Sequence, residues 1–359
     1  MKILIAAGGS GGHIFPAIAL ARELEKEKNN IVFVASRRKL DKKIMRGLEY
    51  KKVFMSVNPM PYKIDYRIIL FMIKSVYDFI LSIITLIRFR PRVVVGFGGY
   101  TGGSVVFLAA ALRIKTVVHE QNVIPGRTNR LLGPLARKIA VSFPGSDKYF
   151  KSKNTVFTGN PLREESLKPG GGSSKAKFGL DNGKFTILVM GGSQGASSLN
   201  RFASVSIGGL LPGEKNAVQV LHITGQKDEA VIRDFYEKHC VKNAVFSFID
   251  SINEAYSASD IAISRAGASA IFELATFGKP MILVPYPSAG NNQRFNALFL
   301  AGKDAAIYED EKTAGPGDLR LDIRKLLGDE AFRRSLSENA RKLIVTDGAK
   351  RLAKVILEL

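Results

Sequence analysis

Three times in this chain a short aliphatic run ends directly in a cluster of glycines. Lys2–Ala7 leads into Gly8-Gly9-Ser10-Gly11-Gly12-His13, and Val93–Gly96 into Phe97-Gly98-Gly99-Tyr100-Thr101-Gly102-Gly103. Phe185–Met190 leads into Gly191-Gly192-Ser193-Gln194-Gly195-Ala196. Aliphatic runs of this length read as strands buried on both faces, as in a parallel sheet covered by helices. Glycine lets the backbone turn sharply and approach a ligand, and a following helix N-terminus presents free N–H groups and partial positive charge. One such loop is plain turn chemistry. Three of them, each after a strand, point to ligand binding at strand carboxyl ends.

Further strands are expected at Ile31–Ala35, Thr116–His119, Lys138–Val141, Val218–Thr224, Val245–Phe248, Ile261–Ser264 and Met281–Val284. Helices are expected over Pro16–Lys28, with Pro16 at the start, and over Ser269–Thr276 and Asn291–Ala301. The alternation is that of βαβ units, so the fold class is α/β. With 359 residues the chain suits two Rossmann-like parallel-sheet domains facing a cleft, residues 1–163 and 164–339. The link falls at Gly159-Asn160-Pro161-Leu162-Arg163, before the polar loop Lys168–Ser174. A terminal helix over about Ala331–Leu359 has no strand after it, and its last part, about 340–359, is free to pack back on the first domain.

Several classes are disfavoured. The dinucleotide fingerprint needs glycine where Ile14 stands, and no acidic residue closes a second strand about 20 residues on. No Gly-x-x-x-x-Gly-Lys-Ser/Thr motif is present. The lone Cys240 cannot form an internal disulfide, and no Cys/His spacing suits structural zinc. A reducing, cytosolic setting fits, and the N-terminus lacks the apolar run and cleavage site of a signal peptide. No Asp-x-Asp pair exists to hold a metal-bound diphosphate, so neither a metal nor another cofactor is indicated.

The formal charge is +21, and it is unevenly spread. Residues 1–163 carry 28 Lys/Arg against 9 Asp/Glu, a net +19, and the remainder is nearly neutral. The first half therefore meets something anionic: nucleic acid, a phospholipid surface or a phosphorylated substrate. Within it, Ile64–Phe89 is the most apolar stretch, interrupted by Lys74 and Asp78. Ile69, Met72, Val76, Phe79, Ile80, Ile83 and Ile87 fall on one helical face. That face suits either a crossover helix packed on the sheet or a surface that dips into lipid, where Lys63, Arg67, Lys74, Arg88, Arg90 and Arg92 would meet anionic headgroups.

A fourth segment, Ile261–Glu273, reads as strand, small-residue turn and helix. Small residues at a helix start fit around a phosphate, and the Glu273 carboxylate can accept two hydrogen bonds from a ribose diol. Downstream, Gln293-Arg294-Phe295-Asn296-Ala297 offers amides to sugar hydroxyls.

Six ordered blocks, Gly8–His13, His119-Glu120-Gln121-Asn122, Gly159–Arg163, Gly191–Ala196, Arg265–Glu273 and Gln293–Ala297, resemble the MurG family from Met1 to about Ala301. These are peptidoglycan N-acetylglucosaminyltransferases of GT-B fold that make lipid II from lipid I. The resemblance implies a peripheral enzyme at the cytoplasmic face of the bacterial plasma membrane, with UDP-N-acetylglucosamine, the undecaprenyl-diphosphate-linked acceptor lipid I and an anionic membrane surface as partners. It implies that the C-terminal domain holds the donor: Ile249 at the uracil edge through its backbone, Ser193 and Arg163 near phosphate, Ala268, Ser269, Ala270, Ile271, Phe272 and Glu273 around diphosphate and ribose, and Gln293 at a sugar hydroxyl. Ser10, Gly11, Gly12 and Asn122 would complete the site from the N-terminal domain. The implied reaction is inverting transfer to the acceptor 4-hydroxyl, which needs a base. His13 is the first candidate, with His119 and Glu120 as alternates. Ser10 and Ala270 stand where the family usually has threonine, and the second glycine loop lacks the family's proline.

Two other classes share features with this chain. A UDP-sugar 2-epimerase has the same fold but needs no lipid, and the basic first half with Ile64–Phe89 argues against it. A nucleic-acid binder would explain the charge, but no RNA module with aromatics interleaved among Lys and Arg is present.

Overall fold

The computed structural model describes residues 1–56, 66–170, 174–192, 195–287 and 291–359, with side chains left undescribed at 66–68. Ser193, named above, lies outside the described residues, as does Lys63; Arg67 is described by its backbone alone. The chain forms two compact units, Met1–Arg163 with Val345–Leu359, and Glu164–Ile344.

The first unit holds a seven-stranded parallel sheet of β1 (Lys2–Ala6), β2 (Asn30–Ser36), β3 (Lys51–Met55), β4 (Val93–Gly96), β5 (Lys115–Glu120), β6 (Lys138–Val141) and β7 (Thr155–Phe157). Their spatial order is β3-β2-β1-β4-β5-β6-β7. The chain builds outward from β1 on one side and then returns beside it with β4, Ile3 pairing with Ile31 on one side and Val93 on the other. The second unit repeats the plan with β8 (Phe185–Met190), β9 (Val218–Ile223), β10 (Asn243–Phe246), β11 (Ile261–Ser264), β12 (Met281–Leu283) and β13 (Ile307–Tyr308), in the order β10-β9-β8-β11-β12-β13. Each sheet thus has a switch point, β1/β4 and β8/β11, where loops leaving adjacent strands diverge and open a crevice. All three glycine loops and the Arg265 turn leave these four strands.

Strands β3, β7 and β13 escape the sequence reading, and β10 begins two residues earlier than expected. All four are sheet edges. Edge strands are short and half-wetted, so they lack the aliphatic runs that marked the centre.

In the first unit, α1 (Gly11–Lys26), α2 (Lys39–Met45), α3 (Tyr66–Phe89), α4 (Gly99–Ala111) and α5 (Arg127–Leu132) surround the sheet. One core joins Ile14, Ala17, Ile18 and Leu20 of α1 to Ile3, Ile5, Phe33 and Val95. The other sets Val105, Val106 and Ala109 of α4, with Leu86 of α3, against Leu4, Val94 and Val118. Helix α1 begins at Gly11, so Pro16 lies inside it rather than at its start. The cause is Ser10, whose extended backbone (φ −160°, ψ 156°) makes it the N-cap. The expected terminal helix is two helices, Glu330–Leu343 and Gly348–Leu357, broken where Ile344 turns extended (φ −115°, ψ 160°). The second of these buries Leu352, Ala353 and Ile356 in the core beside α1.

Helix α3 is amphipathic in the reverse sense. Asp78, Ser82, Thr85 and Leu86 face inward and are buried, whereas Ile69, Met72, Ile73, Val76 and Ile87 are each 59–64% exposed. Asp78 accepts the Ser56 N–H at 2.8 Å, and the Ser82 hydroxyl lies 3.4 Å from that of Ser104 in α4. By length and composition the Ile69–Phe89 span could cross a membrane, with a mean hydropathy of 1.9, yet its polar side is docked on the unit. Of the two sequence readings, a packed crossover helix accounts for the inward side alone.

Candidate active site

At the β1/β4 switch point the first glycine loop runs into α1, placing His13 in the first helical turn. The N–H groups of Gly11 and Gly12 have no hydrogen bond to the described chain. His13 is half-buried. Its Nδ1 sits 3.2 Å from the Gly8 carbonyl and 3.3 Å from Ser10 Oγ. Only an N–H can satisfy the carbonyl, so the proton resides on Nδ1 and Nε2 carries the lone pair. Burial lowers the His13 pKa below the ordinary 6.5, against the raising effects of the Gly8 carbonyl and of the Glu120 and Asp41 charges. The second glycine loop closes on it: a Cβ at Gly99 (φ +71°) would sit 3.0 Å from the Gly8 carbonyl oxygen and 3.4 Å from His13 Nδ1.

The alternate bases differ from His13 in their burial. His119 is fully buried, with Nε2 donating to the Gly159 carbonyl (3.1 Å) and Nδ1 accepting from Gln121 Nε2 (3.1 Å). Desolvation pushes its pKa down to about 4, so it is a neutral bridge between β5 and the Gly159 turn. Glu120 is buried and spent on four hydrogen bonds. Oε1 takes the Asn122 N–H and Nδ2 (2.9 and 3.0 Å), and Oε2 takes the Gly126 N–H and Asn129 Nδ2 (3.0 and 2.8 Å). Neither has a site left for an acceptor's proton, and Glu120 instead shapes the loop carrying Asn122. Arg163 stacks its guanidinium 4.4 Å from the Phe15 ring of α1, with Nε buried and unpartnered.

At the β8/β11 switch point, the helix Ala268–Thr276 starts behind Gly267. The N–H groups of Ala268 and Ala270 make no hydrogen bond within the described chain. Ile271 and Phe272, expected among the donor-holding residues, are wholly buried, and the Ile271 N–H is spent on the Gly267 carbonyl (3.0 Å). Their side chains are part of the buried core. Glu273, 9% exposed, accepts from the Tyr256 hydroxyl at 2.7 Å, which orients its carboxylate. Gln293 Oε1 accepts the Tyr286 N–H at 2.9 Å and so leaves Nε2 as a donor. Ile249 is half-buried in the loop after β10.

Two groupings were left unassigned by sequence reasoning. Arg265 is buried, its Nη1 donating to the Val284 and Pro285 carbonyls (3.1 Å each) and its Nη2 to Ser198 Oγ (2.7 Å). Glu311 answers the charge at 3.1 Å. The pair ties the β11 turn to the helix Ser197–Gly208, which follows the third glycine loop. Nothing local in sequence joins positions so far apart. Asp41, buried in α2, binds the Gly9 N–H at 2.8 Å; its only local signal is a lone acid among Arg37, Arg38, Lys39, Lys42 and Lys43. Among the described residues, no group of three or more His, Cys, Asp or Glu side chains could hold a metal ion.

Comparison with known proteins agrees with this layout. Residues 3–141 match the glycosyltransferase family 28 N-terminal domain and residues 186–352 its C-terminal domain. A UDP-N-acetylglucosamine--N-acetylmuramyl-(pentapeptide) pyrophosphoryl-undecaprenol N-acetylglucosamine transferase of Desulfotalea psychrophila is 35% identical, covering 100% of this chain and 96% of that protein. The crystal structure of Acinetobacter baumannii MurG superposes with a TM-score of 0.79 at 25% identity, covering 100% and 99% of the two chains. A UDP-GlcNAc 2-epimerase from Neisseria meningitidis, 14% identical over the whole of both chains with a TM-score of 0.73, shares the fold alone. On this footing the chain belongs to the MurG family of glycosyltransferases, with two parallel-sheet domains of the GT-B fold.

Proposed function

We propose that this chain transfers N-acetylglucosamine from UDP-N-acetylglucosamine to the 4-hydroxyl of undecaprenyl-diphospho-N-acetylmuramoyl-pentapeptide, forming lipid II for peptidoglycan. The observation that carries the chemistry is His13, an imidazole whose Nε2 has no hydrogen bond among the described residues, at the head of α1 beside two backbone N–H groups that also find no partner there. Nε2 takes the proton of the acceptor 4-hydroxyl as that oxygen attacks the anomeric carbon from the face opposite the leaving group. The bond between that carbon and the diphosphate oxygen breaks, its electron pair leaves with UDP, and a β-1,4 linkage results. In the donor half, the N–H groups of Ala268 and Ala270, which have no partner among the described residues, suit the diphosphate through the helix dipole, and Glu273 suits the ribose diol. Arg163, Ser193, Ile249, Ser269, Gln293, Ser10, Gly11, Gly12 and Asn122 keep the roles that the family resemblance implies.

The same reading makes the protein peripheral at the cytoplasmic membrane face. The outward apolar side of α3 supports this, as a patch of that kind on a monomer marks a binding surface. Exposed Arg88, Arg90 and Arg92 follow it in the chain, and the net +19 over residues 1–163 favours anionic headgroups.

The test is radiolabelled sugar transfer from UDP-N-acetylglucosamine to lipid I. Labelled lipid that appears only with enzyme, donor and acceptor together supports the reading. A 2-epimer formed from the donor without lipid would replace it with the epimerase reading.

A further inference from the structure

We infer that Asp41 is a positioning residue for His13, clamping the first glycine loop through the Gly9 amide. The inference rests on His13 being the base. Asp41 is completely buried although cations flank it along the chain. Its Oδ2 takes the Gly9 N–H at 2.8 Å and also the Ser36 hydroxyl. Its Oδ1 is buried with no partner among the described residues. A buried carboxylate with one unmatched oxygen costs stability.

What the charge does is visible in the contacts of the loop. Gly8 is pressed against it so closely that a Cβ there would fall 3.0 Å from Asp41 Oδ2 and 2.8 Å from Thr101 Oγ1. The Gly8 carbonyl is the atom that accepts from His13 Nδ1. From the turn before α2, Arg38 Nη1 holds the Gly9 carbonyl at 3.0 Å. Gly9 is thus held at both its N–H and its carbonyl, and the Gly8 carbonyl that fixes the His13 tautomer, which shares a peptide plane with that N–H, cannot swing away. Charge-assisted bonds of this type are about twice as strong as neutral ones.

Electrostatics runs through the same contacts. His13 faces Asp41 from α2, Glu120 and His119 from β5, and the Gly98–Gly99 turn from β4. Asp41 and Glu120 oppose the desolvation that depresses its pKa, while His119 is neutral. When Nε2 receives the acceptor's proton, the Asp41 and Glu120 carboxylates both favour the imidazolium. Glu120 is tied down by four donors, so Asp41 is the carboxylate that acts through both geometry and charge.

The experiment follows the His13 ring by NMR titration in the full-length parent and in Asp41→Asn, alongside sugar transfer as a function of pH. In the variant His13 titrates at lower pH, and the acid limb of kcat/KM moves down with it. Its kcat falls on the order of 10²-fold, as expected for a misplaced catalytic group, with the KM for UDP-N-acetylglucosamine little changed. An unshifted His13 titration with parental kcat, whatever happens to the melting temperature, overturns the inference. Should Asp41→Asn fail to fold, hydrogen exchange of the Gly9 amide in the parent decides. Protection supports the clamp, and exchange at the free-loop rate overturns it. The His13 titration needs no substrate, so a parent that transfers no sugar would overturn the function and leave the Asp41–His13 coupling to be judged separately.

Discussion

The Nδ1–H of His13 donates to the carbonyl oxygen of Gly8 at 3.2 Å, and this one bond decides which ring nitrogen can act as a base. Since burial lowers the His13 pKa below 6.5, the neutral form, the one that can take a proton, prevails at pH 7. Sugar transfer should be flat with pH through neutrality and fall only as acidification protonates Nε2, below the usual imidazole range. His13→Ala should cost roughly 10²–10⁴-fold in kcat and remove that acid limb. Near-parental turnover by the variant would take His13 out of the mechanism.

His119 makes the first unit acid-sensitive for a separate reason. Its folded pKa of about 4 lies below the unfolded value of 6.5, so the unfolded chain binds its proton first. The associated stability is complete above pH 6.5 and is lost as the pH falls from there to about 4, on the order of 3 kcal/mol in full. His222, buried between Tyr236 and Asn200 and pushed down to about 3, does the same in the second unit. Urea unfolding at pH 7 and pH 5 should show the loss, and His119→Gln should flatten it. A variant with an unchanged pH slope would contradict the assignment.

The buried Arg265–Glu311 pair joins the β11 turn to the helix Ser197–Gly208. Removing one partner strands the other, so Glu311→Ala should destabilise by about 3–5 kcal/mol. Replacing both, Arg265→Met with Glu311→Leu, should recover most of that stability while UDP binding stays weak, because the bonds to Ser198 and to the Val284 and Pro285 carbonyls are gone. Calorimetric UDP titration separates the two effects; parental affinity in the double variant would show that the pair serves stability alone.

The two sides of α3 should respond oppositely to mutation. Met72→Glu and Ile80→Glu alter exposed positions and should abolish sedimentation with anionic vesicles without shifting the melting temperature. Asp78→Ala leaves the Ser56 N–H without its acceptor and should cost about 1–3 kcal/mol. Vesicle binding that survives both glutamates would remove the apolar face from the membrane contact. Equal binding to neutral and anionic vesicles would remove the electrostatic part.

The sequence by itself determined the central strands, the glycine loops after them and the family, because aliphatic runs and glycine clusters are local patterns with direct backbone meaning. Edge strands β3, β7 and β13 were illegible for the converse reason: half-wetted segments carry no continuous apolar run. Tertiary structure alone decided that β4 returns beside β1 and β11 beside β8, which turns separate glycine loops into shared crevices. It also decided among the titratable candidates. His13, His119 and Glu120 are all polar residues at strand ends in the sequence, and only burial and hydrogen-bond partners separate an uncommitted Nε2 from a bridging imidazole and a saturated carboxylate. The inverted face of α3 belongs to the same class. Helical spacing established that one side is apolar, but which side turns inward depends on the buried partners that Asp78 and Ser82 find, and those lie on other elements of the fold.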